Sequence, residues 1–382
     1  MANPLVEVQK FGQSIWYDNI RRGIITSGQL QSMVDDDGLL GITSNPAIFE
    51  KAVVGSHDYD QAIKALVGQG VASSVDVYER LAMEDIQWAA DVMHPVYERT
   101  SGRDGYVSFE VAPSLANDAK GTIEYARRAW ATLGRENVLI KVPGTPEGMH
   151  AIQTLIGEGI SINVTLLFSV DAYEACAEAY IAGLEKYVQS GRNPGKVASV
   201  ASFFISRIDT LVDEKLKALA DKATDGAKKK QIEGLCGKVA IANGVVAYES
   251  YKRIIAGDRW KALASKGAQT QRVLWASTST KNPAYPKTMY VDDLIAPDTV
   301  NTIPEETFVE YRKSGKPHAA LVADWPKTLA AAKETMTSLE AVGISMKDVT
   351  DTLLKEGIKK FIDPFNELID SIEKKRRTLQ AA

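Results

Sequence analysis

Val138-Leu139-Ile140-Lys141-Val142-Pro143 is an apolar run interrupted by one amine. A short apolar run between turn signals reads as a buried strand of a parallel sheet, where a charged ammonium is poorly solvated. Burial disfavours the charged form of a lysine, and the neutral amine is a nucleophile that attacks carbonyl carbon to give a Schiff base. The alternative is a lysine at a strand end or edge, its stem against apolar surface and its head in water. Both readings are open for Lys141 when the run is taken alone.

Outward from this run, short apolar or β-branched stretches alternate with longer amphipathic windows. The stretches are Ser14 to Asp18, Gly41 to Asn45, Val107 to Ala112, Val138 to Val142, Ser161 to Phe168, Val197 to Phe204 and Arg272 to Thr278. An eighth, Thr299 to Ile303, would close a ring. Between them lie helical patterns such as Gly121 to Leu133, Met149 to Ile156, Val170 to Val188 and Lys238 to Ile255. Strand and helix in alternation predict parallel βαβ units, and one continuous series of eight predicts a single α/β barrel of the (β/α)8 TIM type. The spacing sets Thr210 to Lys230 apart as a solvated helical insertion, and from Thr328 onward predicts a helical C-terminal extension within the same domain, residues 1–382. Pro364 is expected to break or kink the last helix, and the basic run Lys374-Lys375-Arg376-Arg377 to form a solvated helix end.

Composition narrows the function classes. The 382 residues are 45% hydrophobic and 25% charged, with a net charge of −4 and a pI near 5.8. That balance offers no broad attraction to nucleic acid or an anionic membrane surface. Cys176 and Cys236 are the only cysteines and form no CxxC, so neither a disulfide framework nor a zinc site is expected, and a reducing cytosolic compartment is. No basic-then-apolar leader opens the chain, and no stretch approaches ~18 consecutive apolar residues. His57, His94, His150 and His318 are too scattered for a metal cluster. Asp35-Asp36-Asp37 reads as a solvated loop, and Gly191-Arg192-Asn193-Pro194-Gly195-Lys196 fails the P-loop spacing. Asp104 has no evident task.

In barrels the reacting groups come from the carboxyl ends of several strands. Here Asp18 ends the first stretch, Asn45 follows Thr43 and Ser44 after the second, and Glu110 lies near the end of the third. Lys141 follows in the fourth, then Asn163 and Thr165 in the fifth. Each alone could be a helix cap or a strand-end hydrogen bond. Together a lysine, two acids and two amides are the ingredients of aldol chemistry through an imine. Later strands end in Ser202-Phe203-Phe204-Ile205-Ser206-Arg207 and in Ser277-Thr278-Ser279-Thr280-Lys281, hydroxyls with cations that suit a phosphate. A phosphorylated carbonyl substrate is therefore expected.

Three segments, Ile42-Thr43-Ser44-Asn45-Pro46, Ile140-Lys141-Val142-Pro143-Gly144-Thr145 and Ile162-Asn163-Val164-Thr165-Leu166, stand in the order and roughly at the spacing of one family. The chain resembles the transaldolases, Schiff-base transferases of the pentose phosphate pathway, in their longer bacterial form. That resemblance implies a barrel circularly permuted relative to other class I aldolases, no cofactor and no metal. It implies that Lys141 forms the imine, that Glu110 moves protons through a water and that Asp18 deprotonates the donor hydroxyl. Asn45 and Asn163 would hold the intermediate, with Thr43 and Ser44 beside Asn45, and Thr165 would position the water. Ser202, Arg207 and Ser277 would contact the phosphate. Phe204 stands where related fructose 6-phosphate aldolases have tyrosine, which leans toward transfer. One departure is Lys281, in a place where shorter members have an arginine. The implied partners are sugar phosphates, with monomer and homodimer both open. The alternatives are a fructose 6-phosphate aldolase acting as a lyase and a non-catalytic sugar-phosphate-binding barrel.

Overall fold

The computed structural model describes residues 3–381. Eight strands, β1 (Gln13–Tyr17), β2 (Gly41–Ile42), β3 (Tyr106–Glu110), β4 (Val138–Pro143), β5 (Ile162–Leu167), β6 (Ser199–Phe204), β7 (Arg272–Ala276) and β8 (Thr299–Ile303), run parallel and close in sequence order. The ring is sealed by β8 beside β1, with Gln13 opposite Thr299 and Tyr17 opposite Ile303. The predicted α/β barrel is thus the observed fold. Every strand residue is buried, because one face looks into the barrel and the other is covered by helices.

The interior is filled rather than open. At the amino-terminal end Asp104 accepts hydrogen bonds from Ser14 Oγ (2.8 Å) and Trp16 Nε1 (2.9 Å) and pairs with Arg272 Nη2 (2.8 Å). Both ions of this pair are 4% exposed, so either charge would be left uncompensated without the other. Asp104, unassigned in the sequence, is a core residue. At Gly41 on β2 a Cβ would lie 2.5 Å from the Trp16 ring, so glycine there makes room for the indole.

Four sequence expectations need correction. The helix Ser206–Lys222, which covers much of the expected solvated insertion, is not solvated on all sides: it packs against the helices Val239–Ile255 and Met346–Ala381. It buries Ile208, Val212, Leu216 and Ala220 on one face, a 3.6-residue pattern masked by its lysine-rich other side. Asp35 to Asp37 end the helix Gln29–Asp37, where buried Asp37 accepts from Asn3 Nδ2 (2.9 Å) and pairs with Arg312. Pro364 does not break the last helix, which runs unbroken from Met346 to Ala381. Finally, the basic run is only partly a solvated end: Lys375 Nζ donates to Val53 O (2.9 Å) and Asp60 Oδ1 (2.7 Å), tying that helix to the β2 side of the barrel.

The C-terminal helix Met346–Ala381 carries a buried apolar stripe, Val349, Leu353, Phe361, Leu368 and Ile372, whose members lie one or two helical turns apart. That stripe lays it against the helices Pro46–Val54, Asp60–Gly68 and Ser74–Arg99 and across the carboxyl end of the barrel. Among the described residues, no helix is long and apolar enough to cross a membrane.

Candidate active site

Register alone brings the central groups together. Glu110 on β3 is opposite Lys141 on β4, which is opposite Asn163 on β5, so three inward side chains share one rung of the barrel. Lys141 is 5% exposed; its Nζ donates to Ser44 O (3.0 Å) and lies 3.3 Å from Glu110 Oε2. Neither carboxyl oxygen of Glu110 has a hydrogen-bond partner among the described residues. Burial therefore dominates Glu110 and pushes its pKa up to about 7, against the opposing pull of the Lys141 charge. A buried carboxyl that titrates near neutrality beside an amine can both give and take a proton.

Around this pair the amides and hydroxyls are fixed by one another. Asn163, fully buried, donates from Nδ2 to Ser108 Oγ (3.0 Å) and accepts from Ser202 Oγ (2.7 Å), which sets the orientation of its side chain. Thr43 donates to Asp18 Oδ1 (2.6 Å), and Thr302 Oγ1 lies 2.6 Å from Thr43 Oγ1. With the Thr43 proton held by the carboxylate, Thr302 is the donor of that second bond. Asn45 caps the helix Pro46–Val54, its Oδ1 accepting from Ile48 N (3.1 Å). That cap commits the oxygen and leaves the amide hydrogens to face the cavity. The Oγ1 of Thr165 is buried and has no hydrogen-bond partner among the described residues, and Thr165 too borders the cavity.

Two strand ends are strained. Leu166 (φ 61°) follows Thr165 where the pairing of β5 with β6 shifts register between Val164 and Leu167, and Ser277 (φ 54°) follows β7. Non-glycine residues in the left-handed region cost about 1–3 kcal/mol each and concentrate at functional sites. Here both redirect the chain at the cavity rim.

The cavity itself holds about 160 Å³ and reaches down to Lys141; its walls include Asp18, Thr43, Asn45, Thr165, Ser202 and Phe204. It opens into a vestibule of about 760 Å³ to which Arg21, Lys51, Arg207, Lys281 and Lys360 contribute cations and Glu305 and Glu306 carboxylates. Arg207 stacks on Phe204, its guanidinium carbon 5.1 Å from the ring centroid, and its Nη1 is buried with no hydrogen-bond partner among the described residues. Burial draws its pKa below the ordinary arginine value, yet the group stays cationic. Lys281 donates to Ser279 Oγ (2.7 Å); the surrounding protein, and then the Arg207 charge, draw it below the usual lysine value. Two cations with unspent donors at a cavity mouth suit a phosphate group.

The loop carrying Ser277, Ser279 and Lys281 is braced to the helix Ser206–Lys222, which carries Arg207 in its first turn. Ser206 N donates to Ser277 O (3.0 Å), Tyr285 OH to Asp213 Oδ2 (2.5 Å) and Tyr290 OH to Asp209 Oδ2 (2.7 Å). Burial raises the pKa of Asp209 to about 6.

All of the sequence candidates converge at this end of the barrel, with differences in how they face it. Glu110 and Asn163 lie beneath the cavity floor, and Ser44 offers its carbonyl to Lys141 while its hydroxyl donates to Ser108 O (2.8 Å). Sequence reasoning missed Thr302 and Phe361, and it offered Ser279 only as one hydroxyl of the phosphate-suited run Ser277 to Lys281. Thr302 is the inward residue at the end of β8 and was findable by the same rule that found Asp18. Phe361 arrives from 220 positions after Lys141 along the chain, and no local signal announces it. Among the described residues, no group of three or more His, Cys, Asp or Glu is placed to hold a metal ion.

Comparison with known proteins agrees with this geometry. The family model described as "Transaldolase/Fructose-6-phosphate aldolase" matches residues 15–372. A protein named "Transaldolase" from Trichodesmium erythraeum is 50% identical over 385 residues, covering 99% of both chains. "Transaldolase 2" from Nostoc punctiforme is 46% identical over 381 residues, again covering 99% of both. "Transaldolase" from Thermobifida fusca is 42% identical over 373 residues, 97% of this chain and 98% of the other. With matches of this extent, an eight-stranded barrel and a lysine at the floor of its cavity, the chain belongs to the transaldolase/fructose-6-phosphate aldolase family.

Proposed function

We propose that this protein is a transferase that moves a three-carbon dihydroxyacetone unit between sugar phosphates through a Schiff base on Lys141. Sedoheptulose 7-phosphate and fructose 6-phosphate are the donors, and glyceraldehyde 3-phosphate and erythrose 4-phosphate the acceptors. The Lys141 amine, its proton passed to Glu110, attacks the donor ketone, and Glu110, through a water positioned by Thr165, moves protons as the carbinolamine loses its hydroxyl. Asp18 takes the proton of the hydroxyl next to the scissile bond, the C3–C4 bond breaks and the aldehyde leaves. Asn45 and Asn163 hold the enamine that remains. An incoming aldehyde then accepts its carbon, and water releases the new ketose. Arg207 and Lys281, with Ser277 and Ser279, take the phosphate; Ser202, expected from the sequence to join them, gives its proton to Asn163 and holds that amide in place.

The observation that supports this reading most directly is the buried Lys141–Glu110 pair at 3.3 Å beneath a cavity with cations at its mouth. A sugar-binding barrel without catalysis has no use for an acid held near neutral pKa beside a buried amine. We also propose that residues 1–382 work as one domain, since the C-terminal helix supplies part of the cavity wall, and that the setting is a reducing cytosol, which the two free cysteines favour.

The competing lyase cleaves fructose 6-phosphate without an acceptor. Phe204 in the cavity wall, rather than a tyrosine, favours transfer. Aldehyde release from fructose 6-phosphate is measured with and without erythrose 4-phosphate. Transfer predicts turnover only when the acceptor is present; rapid multiple turnover in its absence makes the protein a lyase.

A further inference from the structure

The enamine formed in the proposed reaction has two fates. Its carbon can attack an aldehyde, forming a C–C bond while the aldehyde oxygen gains a proton. Or it can take a proton itself, after which one water hydrolyses the iminium to free dihydroxyacetone and the lysine amine. Both routes end with water at the imine, so what sets the second apart is a proton delivered to the enamine carbon. Whatever covers the adduct from the vestibule side without offering a proton to that carbon, and keeps vestibule water from it, decides between them.

Phe361 meets that description. Its ring centroid lies 6.0 Å from Lys141 Nζ, it is 6% exposed, and it borders both the inner cavity and the vestibule. It presents only carbon. The helix that carries it is pressed onto the barrel rather than laid over it. At Gly357, one turn earlier, a Cβ would sit 3.0 Å from Leu166 Cδ2 and 3.6 Å from Arg207 Nη1. On the far side Phe365 packs edge-on against Tyr78 at 5.5 Å, and Glu373 accepts from Ser74 Oγ at 2.6 Å. The helix is therefore held at both ends of the segment that crosses the mouth, and the ring between them has a defined place.

We propose that Phe361 is a specificity-determining residue that closes the cavity over the Lys141 adduct and directs the enamine to an aldehyde instead of to a proton. This rests on the Schiff-base transfer proposed above. Truncating the ring widens the passage between the cavity and the vestibule and admits further waters, each occupying about 30 Å³, beside the enamine carbon. Leucine, by contrast, keeps most of the apolar closure.

The test incubates wild type, Phe361→Ala and Phe361→Leu with fructose 6-phosphate and limiting erythrose 4-phosphate. It measures free dihydroxyacetone against sedoheptulose 7-phosphate formed. Phe361→Ala is expected to raise that ratio about tenfold or more, a change of about 1.4 kcal/mol in the competition, while Phe361→Leu stays near wild type. A purely structural ring would lower both products together and leave the ratio unchanged; that result, in Phe361→Ala with a native circular dichroism spectrum, overturns the proposal. If Phe361→Ala does not fold, Phe361→Val carries the same criterion. Failure of the underlying reading is distinct, because then wild type itself releases dihydroxyacetone as fast as it transfers it or forms neither product.

Discussion

Replacing Glu110 by glutamine tests the site through stability as well as turnover. The Glu110 carboxyl is 5% exposed, and burial raises its pKa from an ordinary 4.5 to about 7. The folded protein therefore holds this proton more tightly than the unfolded chain does. Stability from this group is greatest below about pH 4.5 and falls as pH rises to about 7, because in that window only the folded state keeps the proton. At about 1.4 kcal/mol per pKa unit the loss across the window is on the order of 3 kcal/mol. Glutamine does not titrate. The unfolding free energy of Glu110→Gln minus that of wild type should thus grow in the variant's favour by about 3 kcal/mol between pH 4.5 and pH 8. Its growth with pH, rather than its absolute value, separates the titration from the lost contact with Lys141. Urea unfolding of both proteins across that range measures it. A difference that stays constant within about 0.5 kcal/mol would refute the claim that Glu110 is a buried acid poised near neutrality. Turnover of the same variant should fall by about 10²–10⁴, the usual worth of a general acid or base.

Other consequences follow from the surrounding contacts. Arg207→Lys keeps the charge but loses the fork, so KM for sugar phosphates should rise about ten- to a hundredfold, from roughly 1.5–3 kcal/mol per charged hydrogen bond, with kcat largely retained. An equal loss with an unphosphorylated aldehyde acceptor would show that Arg207 does not grip phosphate. Asp104→Ala leaves Arg272 charged and buried at the opposite end of the barrel and should cost about 3–5 kcal/mol of stability, read by urea unfolding, with kcat of the folded protein unchanged. Tyr290→Phe removes the hydrogen bond to Asp209 that braces the loop of Ser279 and Lys281. It should raise KM for phosphorylated substrate more than it lowers kcat; unchanged KM in steady-state assays would mean that the loop is held elsewhere.

The barrel was readable because its strands are short apolar runs spaced by amphipathic helices, and local pattern is all that such elements need. The strand-end residues were readable for the same reason: a polar group closing an apolar run is a local anomaly. What sequence could not supply was depth. Ser44 and Asn45 are adjacent in the chain, yet one gives its carbonyl to Lys141 and the other its amide to the cavity, a difference set by the cap at Pro46. The helix Ser206–Lys222 reads as solvated because its buried Ile208, Val212 and Leu216 are diluted by exposed Lys215, Lys217 and Lys222 and by Asp209 and Asp213, whose burial the sequence does not announce. Phe361 was invisible because its partner Lys141 is brought to it only by the way the last helix crosses the barrel.

Borohydride reduction in the presence of fructose 6-phosphate, followed by peptide mass mapping, tests the central claim most directly. The account predicts one stable three-carbon adduct per chain, on the peptide containing Lys141 and absent from Lys141→Ala. An adduct on any other lysine, or none at all in an enzyme that turns over, would contradict it.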